Sequence, residues 1–369
     1  MRPAFLELIR ERVLPRFPIG PGATITPLAG GLINQTFLVT EDDRRLILQR
    51  VNPLFPSSIH DNIQAVTTAL ARRGLITPLL VPTLDGHLFL ELSGAGGGGG
   101  GVEGGSGDGG PAVWRVMTHV EGASFDVVSG PAQARAAGAL VARFHTALSE
   151  LSHVFVGRRA SVHDTAGHLD HLRRAVVAHR DHRLFAAVSS LAQEILRGAA
   201  ELPALPALPP RVCHGDLKFN NLLFAGPSAP LCDTALCLID LDTVGPMPLA
   251  FEMGDAWRSW CNRSGEDNEV AELDLQIFAA SLDGYRDGLA RSLTPDEQRA
   301  LLLGPEWISL ELSARFAADA LAETYFGWDS LRFTGRGEHN LVRARGQFSL
   351  FGALADSRPR RAQLMTGGA

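Results

Sequence analysis

The chain is predicted to fold as an α+β protein with two lobes, a small, mostly antiparallel β lobe followed by a larger, mainly helical one. Three features predict it. Alternating apolar and polar residues mark strands within residues 24–53 and again at 86–92 and 112–120. Apolar residues recur at helical spacing through most of the chain beyond residue 130. A polar loop, His214-Gly-Asp216-Leu-Lys-Phe-Asn-Asn221, has Val212 and Cys213 before it and Leu222, Leu223 and Phe224 after it, as expected of a loop held between buried segments.

In chain order, residues 36–40 and 46–50 form a hairpin about the polar turn 41–45. A helix follows, with Ser57 or Ser58 as its cap and Ile59, Ile63, Val66 and Leu70 along one face. Arg72 and Arg73 suit its last turn, and Gly74 ends it. With the strands at 86–92 and 112–120, five strands and one helix make a small lobe over residues 1–120. Residues 94–110 interrupt that lobe with 12 glycines among 17 residues. The tract has no Lys or Arg and no G-K-[ST] motif, so it reads as a flexible surface insertion and not as a phosphate cradle. Glu121-Gly122 is a hinge, and residues 121–369 form the second lobe. There Gly130-Pro131 opens a helix striped by Ala136, Leu140, Val141, Phe144 and Leu148. Residues 202–210 are a Pro-rich connector, and 260–268 a polar loop.

Composition narrows the function classes. At 369 residues the chain is long enough for two lobes with a sizeable core. A net charge of −6 gives no general attraction to nucleic acid or anionic lipid. No apolar run approaches the roughly 20 residues of a membrane-spanning helix, and the start lacks the apolar stretch of a secretion signal. The four cysteines, 213, 232, 237 and 261, do not make a disulfide framework, and Cys232 and Cys237 lack a second ligand pair for a metal. A reduced cytoplasm is the simplest location.

The spacing H-x-D-x4-N of His214, Asp216 and Asn221 is that of a kinase catalytic loop, with Gly where a protein kinase has Arg. A second acidic segment, Ile239-Asp240-Leu241-Asp242, follows. Phosphoryl transfer from ATP needs this set. Asp216 is the candidate base that takes the acceptor hydroxyl's proton. Asn221 offers a neutral oxygen to Mg²⁺. Asp240, at the end of an apolar strand, offers a carboxylate. Asp242 would point the same way in an extended segment, as a second metal ligand or an acceptor contact.

His-Gly-Asp-x4-Asn followed by Ile-Asp-Leu-Asp, without the DFG or APE motifs, resembles the aminoglycoside phosphotransferase family of small-molecule kinases. Within it, Gly30-Gly31-Leu-Ile-Asn34-Gln-Thr36-Phe37, Ile47-Leu48-Gln49-Arg50-Val-Asn52, Ile239-Asp240-Leu-Asp242-Thr243-Val244 and Gly254-Asp255-Ala-Trp-Arg258 are similar to N-acetylhexosamine 1-kinases. The resemblance runs from about residue 25 to about residue 350. It implies a two-lobed protein-kinase-like fold. The first lobe would bind nucleotide, and the second would carry catalysis and the acceptor. ATP and Mg²⁺ would be used, with direct transfer of the γ-phosphate to a small polar acceptor, a sugar first of all. It also favours Asp240 over Asp242 as the metal carboxylate. His214 would brace the catalytic loop, and a buried Asp255 would support it or cap a helix. Gly30, Gly31, Asn34 and Thr36 would cover the phosphates, and Glu121 would contact the nucleotide from the hinge. Arg50 would clamp phosphate, unless strand register gives that place to Gln49. Asp61 is the nearest acidic residue to pair with such a clamp. Arg258 and Arg315 would contact the acceptor, although Glu311, Arg315 and Asp319 also share a helix face and form an ion-pair ladder in the alternative reading. Rival acceptors are an aminoglycoside, a choline-like amine or an amino alcohol. A nucleotide-binding pseudokinase is the rival of a different class.

Overall fold

A strand can bury one face only if its side chains alternate, and the strands of the first third of the chain do so. The structure is a computed structural model that describes residues 3–28, 34–93, 111–157 and 163–366. The chain divides into two units. The first comprises Met1–Glu121, Glu150–Arg158 and Ile239–Val244, and the second comprises Gly122–Ser149, Arg159–Leu238 and Gly245–Ala369. The Gly-rich tract 94–110 and the segment 29–33 lie outside the described residues.

The first unit opens with α1 (Pro3–Leu8), which runs on through a π turn and a 3₁₀ turn to Arg16. Its sheet holds β1 (Thr24–Pro27), β2 (Gln35–Glu41) and β3 (Arg44–Arg50). Helix α2 (Ile59–Arg72) follows, and then β4 (Leu80–Val81), β5 (Leu90–Leu92) and β6 (Ala112–Thr118). The order is β1-β2-β3-β6-β4, with β5 also on β6, and every pair is antiparallel. The sheet has six strands, one more than the five expected, and the short β4 is the one outside the expected segments. Phe37, Val39, Leu46, Leu48, Trp114 and Val116 line one sheet face, where Ile9, Val13 and Phe17 of the N-terminal segment cover them. That amphipathic start therefore completes the small core. The backbone carbonyls of Pro56, Ser57 and Ser58 cap α2, and the Ser58 side chain does not. Gly74 ends the helix with φ 76°.

The second unit begins with α3 (Pro131–Leu148), α4 (Thr165–Ala178) and α5 (Phe185–Glu201). Short strands follow, β7 (Arg211–Cys213), β8 (Leu222–Phe224), β9 (Ala235–Leu238) and β10 (Gly245–Met247). The chain ends with α6 (Leu249–Trp260), α7 (Leu275–Gly288), α8 (Pro295–Ala322) and α9 (Arg336–Met365). Apolar residues surround α8 on most sides, because α4, α5, α6 and α9 all pack on it. Thr294 and Glu297 close its N-terminus as a reciprocal capping box. Helices α6 and α8 touch backbone to backbone. A Cβ at Gly304 would lie 2.1 Å from the Ala250 carbonyl oxygen. Among the described residues no helix is long and apolar enough to cross a membrane.

Two predictions follow from this packing. Gly304→Ala should destabilise the protein by about 1–3 kcal/mol, since helix backbones must part to admit the methyl. An unchanged denaturant midpoint would contradict the close crossing. The second concerns acid. Burial, with Arg115 nearby, lowers the His60 pKa to about 4. Burial alone would raise Glu297, but hydrogen bonds from Arg291, the Thr294 N–H and Arg211 hold it at about 2. In both cases the unfolded chain binds more protons than the folded one, so stability falls as pH falls. The histidine contribution is lost from about pH 6.5 downward, on the order of 3 kcal/mol once pH reaches about 4. The carboxylate contribution is lost from about pH 4.3 down through about 2. A denaturant midpoint constant between pH 7 and pH 4 would contradict a buried neutral His60.

Candidate active site

Strands on either side set the loop that carries His214, Asp216 and Asn221. β7 leads in and pairs with β10, Cys213 opposite Gly245. β8 leads out and pairs with β9. The chain turns at Gly215 with φ 84°, a region that favours glycine. Behind the turn lies Glu252, in the first turn of α6 and buried. Its Oε1 accepts the His214 N–H at 2.8 Å and its Oε2 the Gly215 N–H at 2.9 Å. Burial alone would raise the Glu252 pKa, but the hydrogen bonds from His145 and the Gly215 N–H hold it below the ordinary value. Burial lowers the His145 pKa, so its neutral ring donates from Nε2 to Glu252 at 3.4 Å and accepts the Tyr285 hydroxyl at Nδ1 at 2.9 Å.

Asp255, the expected support of this loop, is engaged elsewhere. Its Oδ1 accepts two N–H groups of Arg258, at 2.9 and 3.0 Å. Glu252 leaves α6 one turn earlier, nearest β7, and takes the loop amides instead. His214 is fully buried, and its Nδ1 accepts the Asp216 N–H at 3.3 Å. Trp260 Nε1 donates to the Leu217 carbonyl at 2.7 Å. The loop backbone is thus held from several sides, while the Asp216 side chain stays 21% exposed, 3.0 Å from Lys218 Nζ. Asn221 Nδ2 donates to the Asp216 carbonyl at 2.8 Å and to its Oδ2 at 3.3 Å. Amide and carboxylate therefore stand side by side.

The two arginines expected at the acceptor differ. Arg258 is buried and bound by Asp255 and, at 3.2 Å, by Glu266. It has little left to offer a ligand. The ladder on α8 does not form. Glu311 accepts from His163 at 3.0 Å and from the Thr165 hydroxyl at 2.6 Å. Asp319 accepts the N–H groups of Thr324, Tyr325 and Phe326 and the Asn340 amide. Arg315, partly buried, has no carboxylate partner among the described residues and lies over the Phe326 ring, 5.5 Å from its centroid.

In the first unit, strand register decides which side chains share a face. Thr36 stands opposite Gln49, and Gln49 opposite Arg115. Directly opposed residues share a face, so these three form one row across β2, β3 and β6. Gln49 Nε2 donates to Thr36 Oγ1 at 3.1 Å, and Arg115 Nε donates to Gln49 Oε1 at 2.8 Å. Arg115 then grips Asp242 with both Nη atoms, and Asn34 Nδ2 donates to Asp242 Oδ2 at 2.6 Å. Burial alone would raise the Asp242 pKa, but Arg115 and Asn34 hold it below the ordinary value.

This row corrects four expectations. Arg50 falls on the opposite face, over the Phe5 ring at 5.9 Å, so Gln49 takes the inward place and Arg50 does not. Both oxygens of Asp242 accept N–H donors and its charge is paired with Arg115, which occupies the place expected of a metal ion. Asn34 is buried between Asp242 and the Asn52 N–H, 2.9 Å away, and holds the protein together instead of facing a phosphate. Asp61 is exposed on α2 and pairs with no clamp, whereas its neighbour His60 turns inward, its Nδ1 2.6 Å from the Ser57 carbonyl. Glu121 pairs with Arg45 and is largely exposed. Gly30 and Gly31 lie outside the described residues. Asp240 stands two residues beyond the end of β9, with φ 61°.

The Asn221 amide oxygen and the Asp240 carboxylate are each of the oxygen donor type that suits Mg²⁺. His145, Cys213 and Glu252 also lie together, their donor atoms within 4.8 Å of one another. Burial pushes the Cys213 thiol well above its ordinary value, so it keeps its proton, and Glu252 is committed to the loop amides, which makes this a structural cluster. Sequence reading missed Glu252 and Arg115. Each had a signal, a lone charge inside an apolar run: Leu-Ala-Phe-Glu252-Met and Val-Trp-Arg115-Val-Met.

Comparison with known proteins identifies the family and the fold. The model of the phosphotransferase enzyme family, APH, matches residues 24–292. A microcompartment-associated aminopropanol kinase superposes with a TM-score of 0.61 at 16% identity, covering 96% of this chain and 98% of its own. An amicoumacin kinase, solved in complex with AMP-PNP, Ca²⁺ and Ami, gives 0.60 at 12% identity over 94% and 93%. An aminoglycoside phosphotransferase from Alicyclobacillus acidocaldarius gives 0.56 at 18% over 93% and 94%. At such identities these structures speak for the fold, while the family model covers most of the chain and its catalytic loop. The chain belongs to the phosphotransferase enzyme family and is a small-molecule phosphotransferase with a protein-kinase-like α+β fold.

Proposed function

We propose that this enzyme transfers the γ-phosphate of ATP directly to a hydroxyl of a neutral polar acceptor, a sugar of the N-acetylhexosamine kind. Asp216 orients the acceptor hydroxyl and takes its proton as the bond to phosphorus forms. Lys218, beside Asp216, offsets negative charge there. Asn221 and Asp240 would hold Mg²⁺, which when bound neutralises charge on the phosphates. Glu252 and His214 keep the loop rigid, so the base does not have to be ordered during the reaction.

One observation carries the choice of acceptor. A cationic amine needs uncommitted carboxylates, and the candidates are all engaged. Glu252 accepts two loop amides, and Asp255 is bound to Arg258. Glu306 is bound to Arg358 and Arg361, and Glu311 to His163 and Thr165. Arg315 has no ion-pair partner among the described residues, and its N–H groups suit a carbonyl or hydroxyl oxygen. Glu311, one turn before it on α8, meets His163, whose charge bears on Asp255, as does that of Lys218. These contacts run through the second unit toward the catalytic loop.

ADP release screened across N-acetylhexosamines, aminoglycosides and amino alcohols tests this reading. The sugars should support the fastest turnover, and a clear preference for an amino alcohol would reverse the acceptor assignment. Asp216→Asn should fold and bind nucleotide with metal but lose activity by a factor on the order of 10² or more. Turnover within a few-fold of the parent would remove Asp216 as the base. Arg315→Ala should raise the acceptor KM about tenfold and leave the KM for ATP unchanged; a small stability loss with unaltered kinetics would show that its stacking on Phe326 is its whole role.

A further inference from the structure

We propose that Arg115 is a positioning residue whose forked grip on Asp242 fixes the backbone turn that presents Asp240, a role that rests on the metal assignment of Asp240 above. Asp240 adopts a left-handed conformation, φ 61° and ψ 57°. An L-residue there is disfavoured by roughly 1–2 kcal/mol, so its surroundings must hold it. The next residues, Leu241–Thr243, form a single 3₁₀ turn, with Leu241 buried. Asp242 lies in that turn, and its side chain is 2% exposed.

Arg115 reaches this turn from β6, a strand paired with β3, β4 and β5. Its Nε, Nη1 and Nη2 all donate, to Gln49 and to both oxygens of Asp242. Being 1% exposed, Arg115 has no surface to offer a ligand, and its effect passes through Asp242. Asn34 binds the same carboxylate and emerges from the segment that contains Gly30 and Gly31. One buried carboxylate thus ties both the turn after Asp240 and the chain after the two glycines to the sheet. A lysine could not replace the arginine here, since a single ammonium cannot meet Gln49 and both carboxylate oxygens in one plane.

The test uses Mn²⁺ as the metal and ADP as the nucleotide. Arg115→Met/Asp242→Asn removes both charges together and so leaves no unpaired ion in the core. It should fold and bind metal-free ADP as the parent does. Its Mn²⁺ affinity in the ADP complex, read by paramagnetic relaxation, should fall about tenfold or more. The kcat should fall with it, at unchanged acceptor KM. Arg115→Lys should show a smaller loss in the same direction and supplies the reading if the double variant does not fold. Asp240→Asn, run in parallel, separates the two assignments. Weakened Mn²⁺ binding in Asp240→Asn with parental binding in the Arg115 variants overturns the positioning role alone. Parental Mn²⁺ binding in Asp240→Asn overturns the metal assignment and the positioning role with it.

Discussion

A guanidinium placed in the middle of an apolar strand must find an opposite charge, and the pairing of Arg115 with Asp242 meets that demand. Both side chains are almost wholly removed from water. Breaking such a pair from one side leaves a buried, uncompensated charge, which typically costs about 3–5 kcal/mol. The pair therefore constrains everything joined to it. Gln49 and Thr36 fill the remaining contacts across the sheet, and Asn34 completes the carboxylate's shell. The segment Ile239–Val244 belongs to the strand-rich unit for this reason, although its neighbours in sequence fold with the helices.

The catalytic loop in the other unit follows a related rule with a different donor. There a buried carboxylate, Glu252, is met by backbone N–H groups and not by an arginine. Charge-assisted hydrogen bonds of this kind are about twice as strong as neutral ones. Because the backbone itself is gripped, Asp216 can remain partly exposed and still be well placed. Rigid support behind it and access in front of it are what the proposed role of Asp216 as a base requires.

The distribution of committed and uncommitted charges also shapes recognition. Acidic side chains that look available in the sequence are consumed by neighbours in the fold. Arg258 is consumed as well, whereas Arg315 keeps only an aromatic ring beneath it.

Local features were legible from the sequence alone. The spacing of His214, Asp216 and Asn221, the apolar strand before Asp240, the α2 stripe and the glycine at its end depend only on neighbours along the chain. The fold class and the reaction class follow from them. What tertiary structure decided were the pairings between distant residues. Whether Gln49 or Arg50 turns inward depends on sheet register, because a shift of one residue exchanges the two faces. Whether Asp242 meets a cation or an arginine depends on β6, far away in the chain. Whether Glu252 or Asp255 supports the loop depends on which turn of α6 lies beside β7. The type of a side chain is written in the sequence. Its availability is set by partners that only folding brings within hydrogen-bonding distance.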